Sequence, residues 1–168
     1  RSLNAVIKID DTLFLHGGVS PKYVNSSIRD LNNQIRDELN DRKMPQGGIV
    51  IDNEGPLWYR GLAQGDEKAL ESHLKTVLKN HQVERIVISH TFTDGAVTPR
   101  FGGKILLIDI GLARIYDTKM RQACLLIENH QPYALHRGKK LDLPSDTDSD
   151  MLRYLKQAAA LDPSPSAL

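Results

Sequence analysis

The sequence has only one cysteine, Cys124, among its 168 residues. A single thiol cannot form an intrachain disulfide, and a zinc site built from cysteines is likewise excluded. Cys124 lies in the apolar run 123–127, ACLLI, where we expect a small, buried strand residue. The alternative is a reactive thiol, which would need a nearby cationic activator.

Long hydrophobic runs and an excess of either charge are also missing. The longest apolar runs, such as residues 86–88 and 105–108, are far shorter than the ~20 residues that span a bilayer, so we expect no membrane segment. Lys and Arg number 22 against 21 Asp and Glu, and the basic residues are interleaved with acids. The charge pattern therefore gives no argument for nucleic acid or a membrane as a partner.

Common catalytic and nucleotide-binding motifs are absent as well. The sequence contains no P-loop, no G-x-G-x-x-G pattern and no G-x-S-x-G elbow. It also lacks an initiating methionine and runs from Arg1 almost directly into an apolar segment. We therefore expect the chain to be a piece of a longer protein.

The composition that remains is that of a folded α/β protein. Hydrophobic residues make up 40% and charged residues 26%, and the length fits one domain with a real core. Apolar periodicity predicts three helices, at residues 25–39, 67–80 and from 148 or 150 to 159. It also predicts six strands, at residues 5–9, 12–15, 85–89, 104–109, 123–128 and 133–136, with a polar loop over 91–103. We expect the last three strands to pair antiparallel, because their connections are too short for crossover helices.

Two histidines directly follow strand-like runs. His16 ends the run 13–16 and His90 ends the run 86–90. Ligands in α/β folds bind outside the carboxyl ends of strands, and neutral imidazole is the commonest metal ligand, so these positions predict a shared site. The alternative is that each histidine bonds only a loop carbonyl. We interpret the other four, at positions 73, 81, 130 and 136, as structural or solvent-facing. A positively charged His81 would interact favourably with the helix dipole at the C-terminus of the helix predicted at 67–80.

Residues 55–61, GPLWYRG, hold the only tryptophan and Arg60. The planar guanidinium suits bidentate contact with phosphate or carboxylate. The alternative is an exposed arginine beside a tryptophan that covers the core.

Three ordered blocks resemble the calcineurin-like metallophosphoesterases, particularly the phosphoprotein phosphatase branch and its bacterial relatives. The blocks are residues 13–21 (LFLHGGVSP), 55–60 (GPLWYR) and 88–111, in which ISHT, RFGGK and ILLIDIG are similar to the family's Gly-His-Thr, Arg-Phe-Gly-Gly and Ile-Asp-x-Gly segments. The similarity covers most of residues 5–137.

The resemblance implies an α/β fold, part of an α-β-β-α sandwich with a mixed or antiparallel sheet flanked by helices. Residues 1–161 would be the C-terminal portion of that domain and 162–168 a flexible tail. The resemblance also implies metal-dependent hydrolysis of phosphate monoesters, on a protein or a small molecule, with two divalent ions (Mn, Fe or Zn) in the parent protein. His16 and His90 would bind the second metal and Arg60 would contact the phosphate. We expect a cytoplasmic location.

The sequence also departs from the family. The earlier motifs Asp-x-His-Gly, Gly-Asp-x-x-Asp-Arg-Gly and Gly-Asn-His-Asp/Glu, which supply the first metal's ligands, are absent. Ser89 replaces a glycine, and Phe92 stands where the broader family has a further metal-binding histidine. We therefore expect at most a partial metal site, an inactive chain, and self-association or pairing with a missing N-terminal half. The alternative function is a non-catalytic binding or scaffold domain that retains the fold without a full dinuclear metal centre.

Overall fold

The computed structural model describes residues 3–41, 47–112, 122–145, 147–164, 166 and 168. These residues form two compact units, which divide between His90 and Thr91. Each unit has its own strands and helices.

The first unit contains three strands, which pair in a mixed parallel and antiparallel arrangement. Strands β1 (Val6–Ile9) and β2 (Thr12–Leu15) form an antiparallel hairpin, in which Ile9 pairs with Thr12 and Val6 with Leu15. Asp10 takes a left-handed backbone (φ +50°) in the tight turn between them, a conformation that aspartate tolerates better than most residues. Strand β3 (Arg85–Ile88) runs parallel to β2, so the carboxyl ends of these two strands lie together.

Three helices accompany this sheet. Helix α1 (Ile28–Asn40) is capped by Ser27, whose hydroxyl accepts a backbone N–H of the first turn. Helix α2 (Gly61–Gln64) is a single turn, and helix α3 (Glu67–His81) is capped in the same way by the Asp66 carboxylate. The core of the unit contains fully buried residues from β2, β3, α1 and α3, among them Leu13, Ile86, Ile88, Leu31 and Leu74.

A buried asparagine joins α1 to the outer edge of β1. The Asn32 amide oxygen accepts the N–H groups of Ala5 (2.8 Å) and Val6 (3.0 Å), and its amide nitrogen donates to the Val6 carbonyl (2.7 Å). These bonds satisfy backbone groups that a neighbouring strand would otherwise pair. The edge of the sheet is therefore closed at this point by a side chain.

The C-terminus of α3 differs from the sequence expectation. His81 is buried, and its burial, followed by the charge of Lys8, lowers the pKa of the imidazole. The Lys8 ammonium instead bonds the carbonyls of His81 (3.1 Å) and Gln82 (2.7 Å) at the end of the helix. The favourable cation at this helix end is therefore Lys8, and the expectation of a charged His81 is wrong.

The second unit contains two antiparallel groups of strands. Strand β4 (Thr98–Arg100) pairs with β5 (Ile105–Leu107), and β6 (Ala123–Glu128), β7 (Gln131–His136) and β8 (Lys139–Asp142) form a meander.

Two predictions for these strands are wrong. Residues 98–100 form a strand inside the expected loop, and β5 pairs with that strand instead of with β6. Strand β8 was not predicted, because its sequence KKLD is typical of an exposed edge strand and carries little hydrophobic signal. Pro99 similarly disguises β4, since proline is depleted in strands.

Helix α4 (Asp148–Ala159) covers one face of the meander, within the bounds that the sequence predicts. Its buried Tyr154 packs against Ala134 of β7, and the Tyr154 hydroxyl donates to the Val97 carbonyl over 2.9 Å. Cys124 lies on the other face and is exposed, so the expectation of a buried residue is wrong. The apolar run 123–127 alternates between the two faces of the sheet, and Cys124 is on the face away from the core that contains Ala134 and Tyr154.

The residues after α4 return to the meander. The Asp162 carboxylate, only 4% exposed, accepts hydrogen bonds from His136 (3.0 Å), Arg137 (2.7 Å) and Ser166 (3.0 Å). Leu168 packs against the same core as Tyr154. In the described residues of both units, no helix is long and apolar enough to cross a membrane.

Candidate active site

The two strand-end histidines lie side by side in the first unit. Leu15 of β2 pairs with Ile88 of β3, and the backbone carbonyl of His16 accepts the N–H of Ser89 over 3.0 Å. This pairing extends one residue beyond the strands and brings the imidazoles of His16 and His90 together. Their ring centroids are 4.6 Å apart, with the ring planes tilted by 53°. The structure therefore brings these two strand-end side chains together, and their sharing of one ligand stays a prediction.

His90 has an unusual backbone. Its φ of +59° lies in the left-handed region, which is uncommon for residues other than glycine. The strand ends at Ile88, so this turn changes the direction of the chain immediately after β3. Conformations of this kind cost free energy and are concentrated at functional sites.

A loop over residues 47–60 brings Arg60 to the histidines. The backbone N–H groups of Gly17 (2.7 Å) and Gly18 (3.3 Å) both donate to the Pro56 carbonyl. A Cβ at Gly17 would lie 2.9 Å from the backbone of both Leu57 and Trp58, so only glycine allows this approach. The glycines that follow His16 thus allow this close backbone contact.

Arg60 makes a direct contact with His90. The Arg60 Nη2 lies 2.8 Å from the His90 Nε2. A guanidinium has donors only, so the His90 Nε2 must be the acceptor and its proton must be on Nδ1. The structure therefore favours the exposed Arg60 as part of the histidine site, and His90 as a neutral imidazole with a lone pair on Nε2.

Trp58 is the neighbour that sequence reasoning missed. Trp58 is 45% exposed instead of covering the core, and its ring stands perpendicular to the His90 ring with centroids 5.1 Å apart. The indole N–H donates to the Val50 carbonyl over 2.7 Å, which fixes the ring. Its position two residues before Arg60 was the available signal.

The rest of the loop is held by two carboxylates. Glu38 on α1 accepts the N–H groups of Ile49 (2.8 Å) and Val50 (2.9 Å). Asp52 accepts hydrogen bonds from the Lys22 ammonium (2.5 Å) and the Tyr23 hydroxyl (2.8 Å). The bond from Lys22, followed by a backbone N–H and by Tyr23, lowers the pKa of Asp52 to about 2. Asp52 is therefore ionised at neutral pH and keeps both contacts.

The donor set for a metal is incomplete within the described part of the chain. His16 and His90 are adjacent imidazoles, but no group of three or more His, Cys, Asp or Glu side chains suited to a metal occurs there. Two imidazoles fit part of a coordination shell and leave its other positions to further ligands.

The remaining histidines lie outside this pair. The His73 Nε2 is 2.8 Å from the Val19 carbonyl, and His136 bonds Asp162 inside the second unit. His130 is exposed in the turn between β6 and β7. These three match the interpretation as structural or solvent-facing residues. Phe92 begins the second unit's loop and is 47% exposed.

Comparison with known proteins points to phosphatases. No protein-family model matches the chain. It is 34% identical over 142 residues to the uncharacterized protein C1840.07c of Schizosaccharomyces pombe, covering 77% of this chain and 41% of that protein. It is 24% identical over 116 residues to Shewanella-like protein phosphatase 2 of Arabidopsis thaliana, covering 65% of this chain and 29% of that protein.

Solved structures give the same result. A cold-active protein-tyrosine phosphatase from a psychrophilic Shewanella species superposes with a TM-score of 0.69 and 26% identity, covering 83% of this chain and 43% of that chain. A second structure of a cold-active protein tyrosine phosphatase gives a TM-score of 0.71 at 26% identity, covering 85% of this chain and 43% of that chain. This chain therefore spans less than half the length of the relatives it matches. It has a mixed α/β fold, with a mixed sheet flanked by helices, and it is related to phosphatases.

Proposed function

We propose that this chain carries part of the active site of a metal-dependent phosphatase of the calcineurin-like type. The observation that carries the proposal is the adjacent pair His16 and His90, with Arg60 bonded to the second imidazole. The parent protein would hydrolyse phosphate monoesters, and the chain would form part of its α-β-β-α sandwich. The similarity of 83% of the chain to a phosphatase structure supports this proposal.

His16 and His90 are the residues that would hold a metal ion. Imidazole nitrogens suit Zn, Fe and other first-row metals, and His90 already has the neutral form that a metal ligand needs. Because the described residues offer no third ligand nearby, the chain supplies at most part of a two-metal centre. In phosphatase sites of this kind, divalent ions neutralise charge on the phosphoryl oxygens.

Arg60 would bind the phosphate. Its guanidinium offers several donors in a planar fork that matches two phosphoryl oxygens. In the structure one of these donors is used by the His90 Nε2. A metal at that nitrogen would need the same lone pair, so Arg60 would release His90 and offer this donor to the phosphate instead.

The relatives suggest a class of substrate. Proteins named as a protein phosphatase and as a protein-tyrosine phosphatase are similar to this chain over 65% and 83% of its length. We therefore include phosphorylated protein among the substrates of the parent protein.

The single tryptophan allows a direct test of metal binding. Trp58 stands 5.1 Å from His90, so a paramagnetic ion bound to that imidazole should quench its fluorescence. We expect saturable quenching of the 168-residue chain by Co²⁺. We also expect His16→Ala and His90→Ala each to weaken the apparent Co²⁺ affinity by about 10-fold or more.

His130→Ala is the matched control, because it removes an exposed imidazole from the second unit. This variant should bind Co²⁺ like the unmodified chain. Absence of saturable quenching, or equal effects of all three substitutions, would refute the metal site and favour a non-catalytic binding domain. With Mn²⁺ and p-nitrophenyl phosphate, turnover by the chain alone should remain at background, and substantial turnover would contradict a partial site.

A further inference from the structure

Trp58 is a large aromatic side chain that is exposed and yet held in one orientation. The residue is 45% exposed, while its indole N–H is bonded to the Val50 carbonyl over 2.7 Å. The N–H of Val50 is in turn bonded to the Glu38 carboxylate over 2.9 Å. An aromatic ring that is already fixed loses little conformational entropy when a ligand packs against it.

The position of this ring relates it to the proposed phosphate contact. Trp58 and Arg60 both contact His90, the first through its ring and the second through a hydrogen bond of 2.8 Å. A phosphate held by Arg60 beside His90 therefore has the indole as a close neighbour. The group esterified to that phosphate is the part of a substrate that can reach the exposed indole surface.

We propose that Trp58 determines specificity by packing against the ring of an aryl phosphate, so that aryl esters such as phosphotyrosine are preferred over saturated alkyl esters. This inference rests on the proposed function, because Arg60 must hold the phosphate for the ring to be placed. Aromatic pairs are attracted beyond the effect of buried area, by an amount that corresponds to a preference of about 3- to 10-fold. A saturated ring of the same size receives the hydrophobic part of this attraction only.

Two ring esters of matched size separate these contributions. We would titrate the full chain with phenyl phosphate and with cyclohexyl phosphate, without added metal, and measure both dissociation constants by ³¹P NMR. We expect phenyl phosphate to bind about 3- to 10-fold more tightly. In Trp58→Leu this ratio should fall to about 1, whereas Trp58→Phe, which also lacks the indole N–H, should keep most of it.

The outcomes distinguish the inference from the proposed function. If Trp58→Leu keeps the preference of the unmodified chain, or if Trp58→Phe loses it as completely as Trp58→Leu, the role of the aromatic ring is refuted. Inorganic phosphate, titrated into the unmodified chain and into Arg60→Gln, tests the phosphate contact separately. Equal binding to these two proteins, or no binding to either, would instead refute the proposed function.

Discussion

Asn32 should contribute more to stability than any other single asparagine whose contacts lie in the first unit. The substitution Asn32→Ala removes three hydrogen bonds to the edge of β1 and leaves the buried N–H and C=O of Val6 without these partners. A buried backbone group left unsatisfied costs about 1–3 kcal/mol, so the two groups of Val6 together predict a loss of about 2–6 kcal/mol. The loss should be seen as a lower urea midpoint.

The adjacent Asn33 offers a matched control. It lies on the same helix but is exposed, and its one side-chain bond is accepted from Arg36 over 2.9 Å. Asn33→Ala should therefore change the stability by no more than about 0.5 kcal/mol. Trp58 fluorescence reports the unfolding of the unit that contains both asparagines, and far-UV circular dichroism checks that the transition is two-state. Equal costs for the two substitutions would show that the bonds of Asn32 do not stabilise the edge.

Two further predictions concern the second unit. Burial opposes ionisation of Asp162, but the bonds from Arg137, His136 and Ser166 outweigh it and hold its pKa below the usual range. The stabilisation of the fold by ionised Asp162 is then complete above pH ~4 and is lost as the pH falls through the lowered pKa. The free energies of unfolding of the unmodified chain and of Asp162→Asn should therefore converge in acid. A difference that stays constant with pH would contradict this prediction. Tyr154→Phe removes the buried hydroxyl that donates to the Val97 carbonyl over 2.9 Å. The free energy of unfolding, measured in urea, should fall by about 1 kcal/mol. No measurable loss would show that another interaction replaces this hydrogen bond.

The helices could be predicted well because each carries its own signals. In α1, α3 and α4 the apolar residues recur at helical spacing, and a Ser, Asp or Thr precedes each first turn as its cap. The hairpin β1–β2 is equally local. Strands β4 and β8 could not be predicted, because Pro99 and the polar sequence KKLD carry little strand signal, and each strand is stabilised by pairing with a neighbour that sequence pattern does not specify.

The candidate site divides in the same way. His16 and His90 could be paired in advance because each follows a strand, and parallel strands bring their carboxyl ends to one edge of a sheet. The contact between Arg60 and His90 could not be predicted, since residue 60 does not directly follow a strand and its loop has no periodic pattern. The same is true of the exposure of Trp58, which the sequence left open.

The position of the loop explains why these two contacts depend on distant residues. Without regular structure of its own between residues 47 and 60, the loop is placed by single bonds from other elements. Glu38 on α1 accepts hydrogen bonds at the start of the loop. Asp52, in the middle of the loop, bonds Lys22 and Tyr23 in the turn after β2. The end of the loop lies with its backbone close against Gly17. Gly17 and the turn with Lys22 and Tyr23 both follow β2, the strand that ends immediately before His16. The structure that orients His16 therefore also orients Trp58 and Arg60, so the three side chains keep a common geometry although the loop that carries two of them is irregular.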